Sequence, residues 1–177
     1  MAYSWVLSEQ VSTSSVETAI GVLRLAATSR GLARVAFSLG AACDFHGWLA
    51  RMLPDAVHCE RLPLLDEAER QLGEYFAGKR HDFALPFDLR GSAFQLAVWH
   101  ALAAIPFGET RTYGEVARAV GRPGAARAVG AASGANPLAV IVPCHRVTAA
   151  GGKIGGYGGG LRAKRILLGL ERSQIFV

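Results

Sequence analysis

Hydrophobic and polar positions divide the chain into a part with strand-like alternation and a part with helical spacing. In 21-GVLRLAATSRGLARVAF-37, apolar residues alternate on both sides of a turn at Gly31, which predicts an antiparallel hairpin. The stretch 41–53 is predicted to be a short helix. Over 64–77 the apolar residues recur at helical spacing, and Gly78 supplies a stop signal. The first half is therefore predicted to be a small α/β unit.

The periodicity stops at 84-ALPFDLRGS-92, which combines Pro, Asp and Gly and is typical of a linker. We therefore predict an N-terminal α/β domain over residues 1–88 and a C-terminal domain over residues 89–177. Ser92 is well placed to cap the first helix of the second domain, at 93–105.

Two short segments beyond that helix, 112–120 and 125–135, flank the turn 121-GRPG-124 and predict a helix-turn-helix. The second helix consists almost wholly of Ala, Gly, Val and Ser, and Arg127 is its only long side chain. Such a helix can approach a duplex closely but has little with which to read bases, which favours backbone and minor-groove contacts. The alternative is that the small residues pack this helix against a neighbour.

Charge is distributed unevenly between the two halves. Residues 1–89 carry 8 Lys/Arg and 11 Asp/Glu, a net charge of −3, whereas residues 90–177 carry 11 and 3, a net charge of +8. A basic second half favours a polyanionic partner such as nucleic acid, although a solvated basic face is the alternative. No apolar run approaches the roughly 20 residues of a membrane span, and no secretory signal is present, so we expect a cytoplasmic protein without a membrane partner.

Cys144 lies in 141-IVPCHRV-147, after the β-branched run 140–142 that predicts a buried strand. The other cysteines, Cys43 and Cys59, are expected to be inert free thiols. Imidazole and guanidinium directly after Cys144 can favour its thiolate. Neighbours on a strand point to opposite faces, however, so His145 reaches the sulfur only if the chain turns or a water intervenes.

Three features on either side of this motif are also candidate parts of a functional site. Asn136 precedes a proline and can hold a loop shape through its own backbone. The tract 151-GGKIGGYGGG-160 suits a flat ligand lying against the main chain, with Tyr157 as a wall, although a flexible surface loop explains it equally well. Glu171 ends the predicted helix 161–171 against the helix dipole and needs a compensating partner, for which His145 is a candidate.

Taken together, these motifs resemble the O6-alkylguanine-DNA alkyltransferases, or methylated-DNA–protein-cysteine methyltransferases, of bacterial type. The resemblance rests on PCHRV preceded by NP and extends through the segments 71–89, 94–117, 126–137, 141–147 and 155–161 to Glu171. It implies a C-terminal domain of winged helix-turn-helix type, a monomer, double-stranded DNA containing O6-alkylguanine as the partner, and neither cofactor nor metal.

By position, the resemblance implies a set of chemical roles. Cys144 would take the alkyl group from guanine O6, and His145 would deprotonate it through a water. Glu171 would orient His145, Asn136 would hold the loop that carries the nucleophile, and Tyr113 would assist the leaving base.

The resemblance also implies contacts to the base and to DNA. Arg127 would fill the gap left in the stack when the guanine is flipped out. Ser133 stands where relatives commonly have Asn or Met, so pocket contacts there are expected to come from the backbone. The other implied contacts are Ala126 to DNA, and Val147, Tyr157 and Gly158 to the base.

Other functions remain open from the residues alone. A related lesion-binding module without transfer activity is disfavoured because such proteins usually have Trp in place of Cys144. A cysteine hydrolase is disfavoured because Cys144 and His145 are adjacent, and a transcription regulator because the second helix lacks base-reading side chains. An N-terminal zinc site is disfavoured by its ligand spacing; its candidate ligands are Cys43, His46, His58 and Cys59.

Overall fold

A four-stranded sheet forms the centre of the N-terminal part. The computed structural model describes residues 8–38 and 44–174. Strands β1 (Gln10–Thr18), β2 (Gly21–Thr28) and β3 (Gly31–Phe37) are antiparallel neighbours, and β4 (Val57–His58) pairs parallel to β1, giving the order β3-β2-β1-β4. The predicted hairpin is confirmed as β2 and β3. Strand β1 was not predicted, because Ser and Thr occupy many of its positions and weaken the apolar alternation.

One helix covers each face of this sheet. Helix α1 (Phe45–Met52) packs its aromatic and leucine side chains against small alanines of β2 and β3. Helix α2 (Pro63–Phe76) buries Leu65 and Leu72 on the opposite face. The predicted helices at 41–53 and 64–77 are thus confirmed where the structure describes them; residues 39–43 lie outside the described residues.

The second half is mainly helical, as predicted. Helix α3 (Ala93–Ala103) starts at Ser92, which forms a reciprocal capping box with Gln95. Helices α4 (Tyr113–Ala119) and α5 (Ala126–Gly134) form the predicted helix-turn-helix. The remaining strands and α-helix are β5 (Arg111–Thr112), its parallel partner β6 (Val147–Thr148), and α6 (Gly160–Gln174). Two short 3₁₀ helices lie at Cys144–Arg146 and Ala150–Gly152.

The prediction of a strand at 140–142 is wrong. These residues form a buried turn, closed by a hydrogen bond of 2.8 Å from the Val142 amide to the Leu138 carbonyl. Val140 has a φ of 72°, a left-handed conformation that is strained for a β-branched residue. An apolar run indicates burial, but it does not by itself distinguish a strand from a buried turn.

This turn docks on the free edge of the sheet. The Val35 amide donates to the Pro137 carbonyl at 2.8 Å, and the Val35 carbonyl accepts from the Ala139 amide at 3.0 Å. The N-terminal sheet therefore supports the loop that leads to Cys144. Within residues 8–38 and 44–174, no helix has the length and apolar character needed to cross a membrane.

Candidate active site around Cys144

Cys144 opens a short 3₁₀ helix, Cys144–Arg146, and the residue is half-buried. Asn136 holds the preceding loop: its Oδ1 accepts from the Leu138 amide at 3.0 Å, and its Nδ2 donates to the Val142 carbonyl at 2.8 Å. The same Nδ2 lies 3.2 Å from Cys144 Sγ. A single buried side chain thus fixes the loop and contacts the sulfur.

The pKa of the Cys144 thiol is not lowered by its neighbours in sequence. Burial raises the pKa of Cys144, and the Asn136 hydrogen bond and the Lys164 charge oppose this only in part. The expectation that imidazole and guanidinium favour the thiolate is therefore wrong. The 3₁₀ turn directs both of those side chains toward Glu171 instead. The thiol consequently needs a base to remove its proton.

His145 is suited to be that base. It is fully buried, and its Nε2 lies 2.8 Å from Glu171 Oε1. Its Nδ1 is buried and has no hydrogen-bond partner among the described residues. Burial lowers the pKa of His145, which outweighs the raising effect of Glu171. A neutral ring that donates from Nε2 leaves Nδ1 free to accept a proton.

Glu171 is hydrogen-bonded to four residues from three separate parts of the chain. Besides His145, Arg146 pairs with both carboxylate oxygens at 2.9 Å, the Tyr75 hydroxyl donates to Oε1 at 2.7 Å, and the Gly108 amide donates to Oε2 at 3.0 Å. Burial opposes ionisation, but the hydrogen bonds from His145 and Arg146 outweigh it and hold the pKa of Glu171 at about 2. The carboxylate therefore stays charged beside the imidazole.

Three buried side chains of the site were missed by the sequence analysis or left unexplained by it. Arg146, whose role the motif did not reveal, is buried against Glu171 and donates from Nη1 to the Ile105 carbonyl at 2.6 Å. Tyr75 lies on α2 and belongs to the N-terminal part. Lys164 is fully buried on α6 and donates to the Val147 carbonyl at 2.5 Å and the Gly156 carbonyl at 3.1 Å. A lysine within an apolar helix face was the available signal for the last.

A cleft of about 200 Å³ opens beside the sulfur. Four residues singled out from the sequence line it together with Cys144, and three glycines, which have no side chain to fill the space, complete its wall. The predicted lining residues that the structure brings together are Tyr113, Ser133, Tyr157 and Gly158. Val147 is buried next to the cleft but does not line it, and its carbonyl already accepts from Lys164.

The other predicted contacts lie outside this cleft. Ala126 and Arg127 occupy the first turn of α5, whereas Gly130, Ser133 and Gly134 of the same helix reach the cleft. Arg127 is exposed, and no hydrogen bond or ion pair joins it to another described residue. One helix therefore connects an exposed guanidinium to the wall of the thiol-containing cleft.

The N-terminal zinc candidates do not converge in the part of the chain that is described. Over residues 8–38 and 44–174, no three His, Cys, Asp or Glu side chains are grouped closely enough to hold a metal ion. His46 Nε2 instead lies 2.8 Å from Arg24 Nη2, and Cys59 is a free thiol. Cys43 lies outside the described residues.

Two family models match the chain. The ribonuclease-like domain of 6-O-methylguanine DNA methyltransferase matches residues 11–89, and the DNA binding domain of 6-O-methylguanine DNA methyltransferase matches residues 93–173. Together the two matches cover most of the sequence, including every residue of the site described above.

Individual proteins are similar over different lengths. A methylated-DNA–protein-cysteine methyltransferase from Mycolicibacterium paratuberculosis is 62% identical over 59% of this chain, and the match spans 64% of that relative, less than two thirds of it. One from Methanosarcina acetivorans is 46% identical over 89% of this chain and 96% of its own length. The crystal structure of Mycobacterium tuberculosis OGT in complex with DNA superposes with a TM-score of 0.79 at 44% identity, covering 92% of this chain and 94% of that one.

Proposed function

Since the chain belongs to the 6-O-methylguanine DNA methyltransferase family, we propose that it repairs DNA by moving the alkyl group of an O6-alkylguanine onto Cys144. The observation that carries the proposal is a thiol at the wall of a cleft, held by Asn136 and backed by the buried His145–Glu171 pair. The relatives' names and a DNA complex of a similar protein support the same activity.

The chemistry follows from which groups of the site can accept or donate a proton. A neutral His145 takes the thiol proton through a water, and the negative Glu171 stabilises the imidazolium that forms. Sγ then bonds to the alkyl carbon as the carbon–O6 bond breaks, and its electron pair stays with guanine, which becomes the normal lactam on protonation. Tyr113 lines the cleft and keeps its proton because burial raises its pKa, so it is suited to assist the leaving base.

The product explains why one protein molecule acts once. The bond formed on Cys144 is a thioether, which has no carbonyl for water to attack, so the thiol is not regenerated by hydrolysis. The transfer breaks one carbon–oxygen bond and forms one carbon–sulfur bond, so it requires neither electron transfer nor an activated co-substrate. We therefore expect each molecule to accept one alkyl group.

We place DNA binding on the helix-turn-helix and its basic surface. Arg118, Arg122 and Arg127 are exposed on or beside α4 and α5, and they can neutralise phosphates. Since the thiol lies inside the cleft, the target base must be extruded from the stack, which costs a few kcal/mol. Arg127 is suited to fill the gap, with Ala126 and Ser133 allowing close approach of the helix.

The remaining assignments extend the same proposal. Residues 89–177 act as the DNA-binding and alkyl-transfer domain, and residues 1–88 form the N-terminal domain that supports it. The backbone of Gly158 contacts the flipped base, and Tyr157 lines its pocket. No contact from Val147 is proposed, because Val147 does not line the cleft and its carbonyl accepts from Lys164. The protein acts as a monomer in the cytoplasm.

The proposal is tested by incubating the protein with duplex DNA that contains one radiolabelled O6-methylguanine. We expect the label to move to protein until one equivalent is bound, and peptide mass analysis to locate the methyl group on Cys144. The Cys144→Ser variant is the control. Label transfer by that variant, or several turnovers per protein, contradicts the mechanism; tight binding without transfer indicates a lesion-binding module, and release of free product indicates a hydrolase.

The pH dependence of transfer is expected to report the base. The active form contains neutral His145, and burial lowers the pKa of His145 below its usual value of 6.5. The rate should therefore change little as the pH falls from about 7.5 to 6.5, and should decline only as the pH passes below 6.5 through the pKa of His145. Single-turnover rates with the free base O6-benzylguanine measure this without effects from DNA binding. A decline centred above pH 7 contradicts the assignment.

A further inference from the structure

A second, smaller cavity adjoins the thiol and reaches the N-terminal domain. Its volume is about 40 Å³. It shares Cys144, Tyr157 and three small residues of the site with the larger cleft. The rest of its wall includes residues 34–37 of β3, together with Asn136, Ala139 and Gly159, whereas Tyr113 lines only the larger cleft. The sulfur therefore faces two adjoining spaces, and only the smaller one is bounded by the N-terminal sheet.

The planar base and the alkyl group have different size requirements. Only the larger cleft, of about 200 Å³, offers room for a purine, and it is the one that contains Tyr113. The carbon that Sγ attacks must lie between the base and the sulfur. The rest of a longer alkyl chain therefore extends away from the line that joins guanine O6 to Sγ. The smaller cavity, which shares the sulfur, is the buried space available to it.

Phe37 lines this smaller cavity and is packed between two neighbours. It is the last residue of β3, and only 6% of its surface is exposed. Its ring meets the Tyr157 ring edge to face, with centroids 5.7 Å apart. The ring also lies so close to Gly159 that a Cβ there would approach it to 2.2 Å. Because two neighbours fix the ring, it forms a rigid wall and not a movable side chain.

We propose that Phe37, a residue of the N-terminal domain, sets the maximum length of the O6-alkyl group that Cys144 accepts. The inference rests on the proposed function and adds a substrate limit to it. A water needs roughly 10–15 Å³ of such a cavity and a methylene needs more, so 40 Å³ holds about two carbons beyond the one that Sγ attacks. Methyl, ethyl and propyl groups fit, whereas a butyl group meets the Phe37 ring.

The test compares single-turnover rates on duplexes that contain O6-methylguanine, O6-propylguanine or O6-butylguanine. We expect the wild-type rate to fall roughly tenfold or more from propyl to butyl, as one surplus methylene in a fixed pocket typically costs. Phe37→Ala should raise the butyl-to-methyl rate ratio by about the same factor, and Phe37→Leu should give an intermediate ratio. Each ratio is measured on one preparation, so the fraction of folded protein cancels.

Leu23→Ala is the matched control. Leu23 lies opposite Phe37 in the β2–β3 register, is fully buried and does not line the cavity. Its removal should weaken the fold and leave the butyl-to-methyl ratio as in the wild type. An unchanged ratio in both Phe37 variants, or an equal rise in Leu23→Ala, overturns the role of Phe37. Absence of methyl transfer by the wild type overturns the proposed function itself, which distinguishes the two failures.

Discussion

Replacing Glu171 with Gln is expected to lower the rate of alkyl transfer by roughly 10²–10⁴-fold, the usual contribution of general-base catalysis. The carboxylate accepts hydrogen bonds from His145, Arg146, Tyr75 and Gly108, and an amide nitrogen can accept none of them. The imidazolium formed during transfer also loses its counter-charge. Because Arg146 would remain buried without an anion, we further expect a loss of about 3–5 kcal/mol in the free energy of unfolding.

The two effects of Glu171→Gln are separated by measuring denaturant unfolding and single-turnover rates on the same preparations. Tyr75→Phe is the matched control, since it removes one donor to Oε1 and keeps the carboxylate. It should cost about 1 kcal/mol of stability and much less than 10²-fold in rate. If Glu171→Gln transfers the alkyl group within a few-fold of the wild-type rate, His145 does not depend on this carboxylate.

Replacing Arg127 with Ala is expected to lower repair of O6-methylguanine in duplex DNA by roughly 100-fold while leaving the reaction with free O6-benzylguanine within about twofold of wild type. Extruding a base costs a few kcal/mol, and a side chain that occupies the gap offsets part of that cost. Arg127 is exposed at the start of α5, outside the cleft that holds the thiol. Its loss therefore affects access to the base and not the chemistry on it.

Transfer rates on duplex DNA and on free O6-benzylguanine are measured for Arg127→Ala and for a second arginine variant. Arg122→Ala removes an exposed guanidinium from the turn before α5, and it should weaken DNA binding and reduce its salt dependence without a specific loss in the transfer step. Transfer rates at saturating duplex separate the two variants. Equal losses on duplex and free base, or equal behaviour of the two arginine variants, would show that Arg127 does not assist base flipping.

Much of the fold could be predicted because its signals are local. Gly31 ends the turn of the β2–β3 hairpin, and Ser92 with Gln95 caps α3 within four residues of chain. The helix-turn-helix follows from the spacing of apolar residues around a glycine turn. The site motif was also visible, because Cys144 and His145 are adjacent and Asn136 lies only eight residues from the thiol.

Other features depended on contacts that no local pattern records. The apolar run at 140–142 indicated burial correctly, but its turn geometry arises because Pro137 and Ala139 bond to the edge of β3. Arg146 pairs with Glu171, 25 residues away, and Tyr75 meets the same carboxylate from 96 residues away. Phe37 lines the smaller cavity beside Cys144 because β3 packs against the loop that leads to Cys144.

By itself, then, the sequence determined the class of fold and placed a candidate thiol, Cys144, beside an imidazole, since periodicity, capping and motif spacing act within a few residues. The tertiary structure decided the protonation of the site and the shape of its cavities. Burial raises the pKa of Cys144 and lowers that of His145, and donors from both halves of the chain hold the pKa of Glu171 at about 2. Desolvation and long-range hydrogen bonds exist only once distant segments pack together, so these properties follow from packing.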